Sequence, residues 1–225
     1  MRRFNLFKSS HSTLRSQLFE TMQTLQFANF NHHGEREEVF NMIEDLVLAI
    51  NRHAEQEANF IIPLVANAFP GVTGPFNRED HVWTVADRLV HRISFYEQTG
   101  SPRVKRLTEI AIRNAFLRFV DYVLAGMQQQ EEQLNTLLWA EYTDEELRNI
   151  QNRLENQQTI SEWLNNSIWM VRDMDTEEIA KWLMSMQLSL PTQMYEMLED
   201  HIASHLPFLR WEQVANRMMA RGMVA

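Results

Sequence analysis

The sequence contains no cysteine, and glycine and proline each occur only six times in 225 residues. Without cysteine there are no disulfides or thiolate metal sites. Any metal must then be held by histidine, aspartate or glutamate, which suits iron, manganese or zinc. Few glycines and prolines beside frequent Leu, Met, Glu, Gln and Arg favour helices over strands. We therefore predict an all-α protein.

Positive charge and long apolar runs are also scarce. The chain has 21 Lys and Arg against 30 Asp and Glu, a formal net charge of −9, which argues against binding to a nucleic-acid backbone. No apolar run approaches the length of about 20 residues that a helix needs to span a bilayer. The first residues also lack the apolar core of a signal peptide. We therefore expect a cytoplasmic protein with no nucleic-acid or membrane partner.

Turn residues divide the chain into segments whose apolar residues recur every three or four positions. This spacing predicts four long helices, at 10–27, 37–68, 78–98 and 104–140. Short connections imply antiparallel neighbours, so residues 1–142 are predicted to form an up-down-up-down four-helix bundle. Residues 143–225 are predicted to form an additional C-terminal helical segment packed on the bundle. Its shorter helices are expected at 144–156, 161–171, 176–186, 192–205 and 211–220.

His53 and Glu57 lie four residues apart, so they share one face of the second predicted helix. The apolar stripe continues beside Glu57, which indicates that the pair points inward, where an unpaired carboxylate is costly. His11 and His53 each lie about sixteen residues, or about 24 Å, from the same end of the bundle. With His81 on the third helix and Glu131 on the fourth, each helix offers one group, as in metal sites of bundle cores.

Four segments, in order, resemble motifs of the hemerythrin-like (HHE cation-binding) family. HSTLR (11–15) is similar to the family's first-helix His followed by Leu-Arg. HAEQEANFIIPLV (53–65) looks like its second-helix His-x-x-x-Glu followed by an apolar-Pro-Leu segment. REDHVW (78–83) resembles the Glu-x-His opening of its third helix. MQQQEEQLNTLLWAEYTDEEL (127–147) resembles the fourth-helix His-x-x-x-Glu-Glu and the Leu-Trp and Thr-Asp-Glu-Glu-Leu that follow.

The resemblance implies a non-haem di-iron site in which Glu57 and Glu131 bridge the irons. The implied ligands are His11, His53, Glu57, His81 and Glu131. Met127 stands where the family has a sixth ligand, a histidine, and a thioether is a poor ligand for iron. The site could therefore hold two ions with one under-ligated, a single ion, or none, and zinc or manganese could replace iron.

We expect this site to bind or sense dioxygen, another small oxidant or iron, and we name no catalytic residue. An enzyme, such as a di-iron oxidase or peroxidase, is the least favoured interpretation, because Glu-x-x-His pairs are missing from the predicted bundle centre. The alternative is a hemerythrin-like scaffold with a degenerate site that acts as a protein-interaction or regulatory module. The Met- and Trp-rich C-terminal helices would then contact the protein partner. His201 and His205 form a second pair four residues apart that could bind zinc, although the sequence offers no third ligand.

Overall fold

The computed structural model of the protein describes residues 3–71, 79–155 and 159–222. Within these ranges the chain is helical and contains no strand, which confirms the all-α prediction. No helix in the described ranges is both long and apolar enough to cross a membrane. The chain divides into two compact units, Met1–Asn156 and Gln157–Ala225.

The helices of the first unit follow the predicted pattern closely. They are α1 (Lys8–Phe27), α2 (His33–Gln56), α3 (Ile62–Ala68), α4 (Glu79–Gln98), α5 (Pro102–Gln129), α6 (Asn135–Glu141) and α7 (Asp144–Glu155). Two π-helical turns, Glu57–Ile61 and Gln130–Leu134, join α2 to α3 and α5 to α6 without a break. The second and fourth predicted helices are therefore continuous, but each contains a widened turn that the apolar spacing did not predict.

The main core of the first unit is built from four helices. Helix α1 packs against α2 and α5, and α4 packs against the same two helices. Their apolar faces meet in one cluster, in which Leu18, Ile43, Leu89 and Phe116 have no accessible surface. Burying each such side chain contributes about 1.5–3 kcal/mol relative to leaving it in water. This periodic apolar face is the reason that the sequence predicted these helices well.

A smaller apolar cluster, the N-terminal cluster, joins the start of the chain to α3, α6 and α7. Its buried members are Leu6, Phe7, Ile61, Val65, Leu134, Leu138, Leu147 and Ile150. Trp139 Nε1 donates to the Phe4 carbonyl over 2.6 Å, and buried Asn135 donates from Nδ2 to Asn5 Oδ1 over 2.8 Å. Because α7 contributes to this cluster, the first unit continues past residue 142 to Asn156.

The second unit contains α8 (Ile160–Asp173), α9 (Thr176–Ser189), α10 (Thr192–His205) and α11 (Phe208–Gly222). Helix α9 packs against α10 and α11, and α10 also packs against α8. Asp175 and Glu178 form a capping box at the start of α9, since each side chain accepts from the other's backbone N–H. Several of its aromatic and sulfur-containing side chains pack against the buried core: Trp163, Trp182, Trp211, Met174, Met186 and Met218.

Candidate metal centre

A layer of polar side chains separates the main core from the N-terminal cluster. Each helical segment that contributes to the layer has the same pattern along the chain: the polar residue lies between a residue of the main core and a residue of the N-terminal cluster. These triplets are Phe7–His11–Leu14 at the start of α1, Ile50–Glu57–Ile61 around the first π-helical turn, and Met127–Glu131–Leu134 around the second. The layer is therefore enclosed by apolar packing on both sides.

Three atoms that can bind a metal converge in this layer. His11 Nε2 lies 3.1 Å from His53 Nε2 and 3.9 Å from Glu57 Oε1, and His53 Nε2 lies 3.1 Å from the same oxygen. All three atoms lie within 4.8 Å of one another. His11 has no accessible surface, Glu57 is 7% exposed, and His53 is partly buried. His11 and His53 thus lie at one level of the helices, as the sequence predicted.

The carboxylate of Glu57 has one satisfied and one unsatisfied oxygen. Gln130 Nε2 donates to Oε2 over 2.5 Å, whereas buried Oε1 accepts no hydrogen bond from any residue in the described ranges. Burial by itself raises the pKa of Glu57, but the charge of His53 and the closeness of both imidazoles lower it to about 2. Glu57 is therefore ionised at neutral pH. Oε1 lies 3.1 Å from His53 Nε2 without a hydrogen bond of regular geometry, so it is open to a cation that the two imidazoles could also bind.

His11 is held in place from two directions. The Phe7 ring stacks on the imidazole at a centroid distance of 5.2 Å, and His11 Nδ1 lies 2.8 Å from Glu131 Oε1. Arg15 Nη1 donates to the same oxygen over 2.8 Å. Burial raises the pKa of Glu131, but hydrogen bonds from Arg15 and His11 outweigh burial and lower it below the usual value. Glu131 thus contacts the ring nitrogen of His11 that does not face Glu57.

Among the described side chains, Met127, His201 and His205 do not join this group of atoms. His81 lies on α4, but its side chain is outside the described part of the structure. Met127 is 3% exposed and packs in the main core. His205 donates from Nδ1 to the His201 carbonyl over 2.8 Å. Within the described ranges, no third His or acidic side chain joins this pair to form a ligand group.

Sequence reasoning missed two residues that contact the centre, Arg15 and Gln130. Arg15 follows His11 by four residues, so helical spacing could have placed it on the same face. Gln130 carried no such signal, because its approach to Glu57 depends on the π-helical turn that begins at Gln130. It was one of three consecutive glutamines with no feature to distinguish it.

The chain matches no protein-family model, no curated protein and no solved structure. Its class is therefore defined by its own fold and site: an all-helical protein with a buried group of two histidines and one glutamate. Two imidazole nitrogens and one carboxylate oxygen with open positions are typical of non-haem Fe(II) sites, and also of catalytic zinc sites. The donor set fits a borderline or hard divalent ion.

Proposed function

We propose that the first unit is a hemerythrin-like four-helix bundle that holds non-haem iron through His11, His53 and Glu57. Through this ion it binds or senses dioxygen, another small oxidant or iron itself. The observation that supports the proposal most strongly is the unsatisfied Glu57 Oε1, which faces the Nε2 atoms of both histidines inside the unit. Bound iron would supply redox chemistry and an open coordination position for the small ligand.

The geometry favours one ion over two. The three ligand atoms form one compact group, and Glu131 is engaged by His11 Nδ1 and Arg15 instead of facing that group. A second ion would need Glu131 to leave both partners and would need further ligands, with His81 as the candidate from the family resemblance. We therefore propose a single-ion site, for which zinc and manganese are the alternatives to iron.

The test is metal content and its dependence on the three ligands. The full chain is produced with ample iron, and its iron, zinc and manganese are measured by mass spectrometry. We expect one ion per chain in the wild type and its loss in His11→Ala and His53→Ala. The matched control is His91→Ala, because His91 is exposed on α4. Circular dichroism verifies that each variant remains helical.

Two outcomes would overturn this proposal. One is a wild-type protein that takes up none of the three metals, even after reconstitution; the cluster would then be a buried histidine–carboxylate ion pair. The other is equal metal content in His53→Ala and His91→Ala. Where iron is bound, a change in near-ultraviolet absorption on adding dioxygen, peroxide or nitric oxide tests the small-ligand part of the proposal.

The second candidate function is a protein-interaction module, and exposed apolar residues of the second unit favour it. Leu188 is 90% exposed, Phe208 76% and Leu209 69%. These residues, not the Trp side chains that pack against the core, would contact a protein partner. The test measures how strongly two variants bind candidate helical partners. Leu209→Ser removes an exposed apolar side chain, and Ser204→Leu makes the reverse change at an exposed position of α10. Equal binding by the two variants would refute this role.

A further inference from the structure

Two consecutive residues of the second π-helical turn, Gln130 and Glu131, each contact a different candidate ligand. Gln130 Nε2 lies 2.5 Å from Glu57 Oε2, and Glu131 Oε1 lies 2.8 Å from His11 Nδ1. In a regular α-helix, neighbouring residues point to different faces. A π-helical turn contains more residues per turn, so neighbouring side chains diverge by a smaller angle, and such turns are frequent at functional sites. This turn brings both side chains to one centre.

The Glu131 contact selects one form of the His11 ring. An ionised carboxylate can only accept hydrogen bonds, so His11 Nδ1 must carry the proton. The lone pair is then on Nε2, the atom that faces His53 and Glu57. A free histidine side chain in water favours the opposite tautomer, with the proton on Nε2. Arg15 keeps the Glu131 carboxylate in place through its 2.8 Å hydrogen bond.

The Gln130 contact selects one oxygen of Glu57. The amide N–H occupies Oε2 and leaves Oε1 as the oxygen that faces the two imidazoles. Glu57 is thereby oriented to offer a metal one oxygen instead of two. In the metal-free protein, His53 Nε2 can donate its proton to His11 Nε2 over 3.1 Å, and a metal ion would displace that proton.

We propose that Gln130 and Glu131 are positioning residues of the metal centre, which fix Glu57 as a one-oxygen ligand and His11 as an Nε2 ligand. This inference rests on the proposed metal-binding function. In this arrangement Glu131 does not bind the metal itself but orients His11. Carboxylates commonly have this role, in which they accept a hydrogen bond from the second ring nitrogen of a histidine that binds a metal. Removing such a partner typically weakens metal affinity by about 10–100-fold.

The first test reads the histidine tautomer in the metal-free protein, so it does not depend on metal binding. Nitrogen chemical shifts of ¹⁵N-labelled His11 at neutral pH should show the proton on Nδ1 in the wild type. In Glu131→Gln, the neutral amide is a weaker acceptor and can also donate to Nδ1, so the fraction of His11 with its proton on Nδ1 should fall. The matched control is Glu132→Gln, the same change one residue along at an exposed position, which should leave the tautomer unchanged.

The second test measures Fe(II) and Zn(II) dissociation constants of the same proteins. Glu131→Gln and Gln130→Ala should each bind about 10–100-fold more weakly than the wild type. Glu132→Gln and Gln133→Ala, which change exposed neighbours, should bind as the wild type does. In the metal-free protein, the carboxyl carbon shift of Glu57 should move in Gln130→Ala and stay constant in Gln133→Ala.

The outcomes separate this inference from the function on which it rests. A wild-type protein that binds no metal overturns the proposed function. In that case the His11 tautomer and the carboxyl carbon chemical shift of Glu57 still show whether Glu131 and Gln130 position these side chains. A wild-type His11 with its proton on Nε2 overturns the role of Glu131. If Gln130→Ala changes neither the carboxyl carbon chemical shift of Glu57 nor the metal affinity, the proposed role of Gln130 is wrong.

Discussion

Replacing Glu57 by glutamine should remove a part of the stability of the first unit that depends on pH. The pKa of this buried carboxyl is lowered from 4.5 to about 2. A carboxyl with a lowered folded-state pKa stabilises the fold fully above its unfolded-state pKa, and this stabilisation is lost as the pH falls through the folded-state value. At about 1.36 kcal/mol per pH unit, the difference corresponds to about 3 kcal/mol.

About 2 kcal/mol of this stabilisation should be lost between about pH 6 and pH 3, and the remainder by about pH 1. The Glu57→Gln variant lacks the titrating group. Between about pH 6 and pH 3, its free energy of unfolding should therefore fall by about 2 kcal/mol less than that of the wild type. Carboxylates far from Glu57 titrate equally in both proteins, so their contribution cancels in the difference. The loss occurs on acidification, because the unfolded state binds the proton before the folded state does.

The assay is urea unfolding of the metal-free full chain, followed through isoleucine methyl resonances. Ile43 and Ile112 are buried in the main core of the first unit, and Ile179 and Ile202 are buried in the second unit. The two pairs report each unit separately within one sample. The variant should change the pH dependence at Ile43 and Ile112 only. If the plots of unfolding free energy against pH at Ile43 and Ile112 are parallel for the wild type and Glu57→Gln, the interpretation of Glu57 as a buried ionised carboxylate is refuted.

Three further substitutions test the packing and capping described above, each measured by urea unfolding with the same resolved methyl probes. Leu18→Ala empties a site with no accessible surface and should destabilise the first unit by about 2–5 kcal/mol; a smaller loss would contradict close packing of the main core. Asn135→Ala removes the acceptor of the buried Leu6 N–H and one of the two donors to Asn5 Oδ1, and it should cost about 1–3 kcal/mol, whereas an unchanged midpoint would show that water replaces the side chain. Asp175→Ala removes the capping box of α9 and should destabilise the second unit alone by about 1 kcal/mol; an equal effect on both units would contradict this assignment.

The helices could be predicted from the sequence because turn residues and apolar spacing mark them strongly. The end of α1 at Phe27 and the bounds of α10 agree with the prediction, and α11 begins three residues earlier than predicted. The closeness of His11 and His53 could also be predicted, because the rise of a helix converts sequence distance into height. Both predictions use only regular geometry.

The contacts of Glu131 could not be predicted by the same means. Apolar spacing placed Glu131 on the inner face but could not distinguish a position beside Glu57 from a position behind His11. That choice depends on the π-helical turn, which changes the angle between residues on either side of it, and on the Arg15 side chain, which reaches Glu131 from α1. Neither feature leaves a periodic signal, so apolar spacing indicated that Glu131 faces inward and left its contacts undetermined.

The position of the polar layer determines how a metal would affect the fold. The main core and the N-terminal cluster each bury their own apolar side chains, and none of the three candidate ligands belongs to either cluster. The first unit should therefore fold without metal, unlike small zinc domains whose folding energy is the binding energy. A bound ion would add stability through mass action alone, about 2.7 kcal/mol at a hundredfold excess over the dissociation constant. Because the three ligand atoms lie in the first unit, that gain should appear at Ile43 and Ile112 and be absent at Ile179 and Ile202.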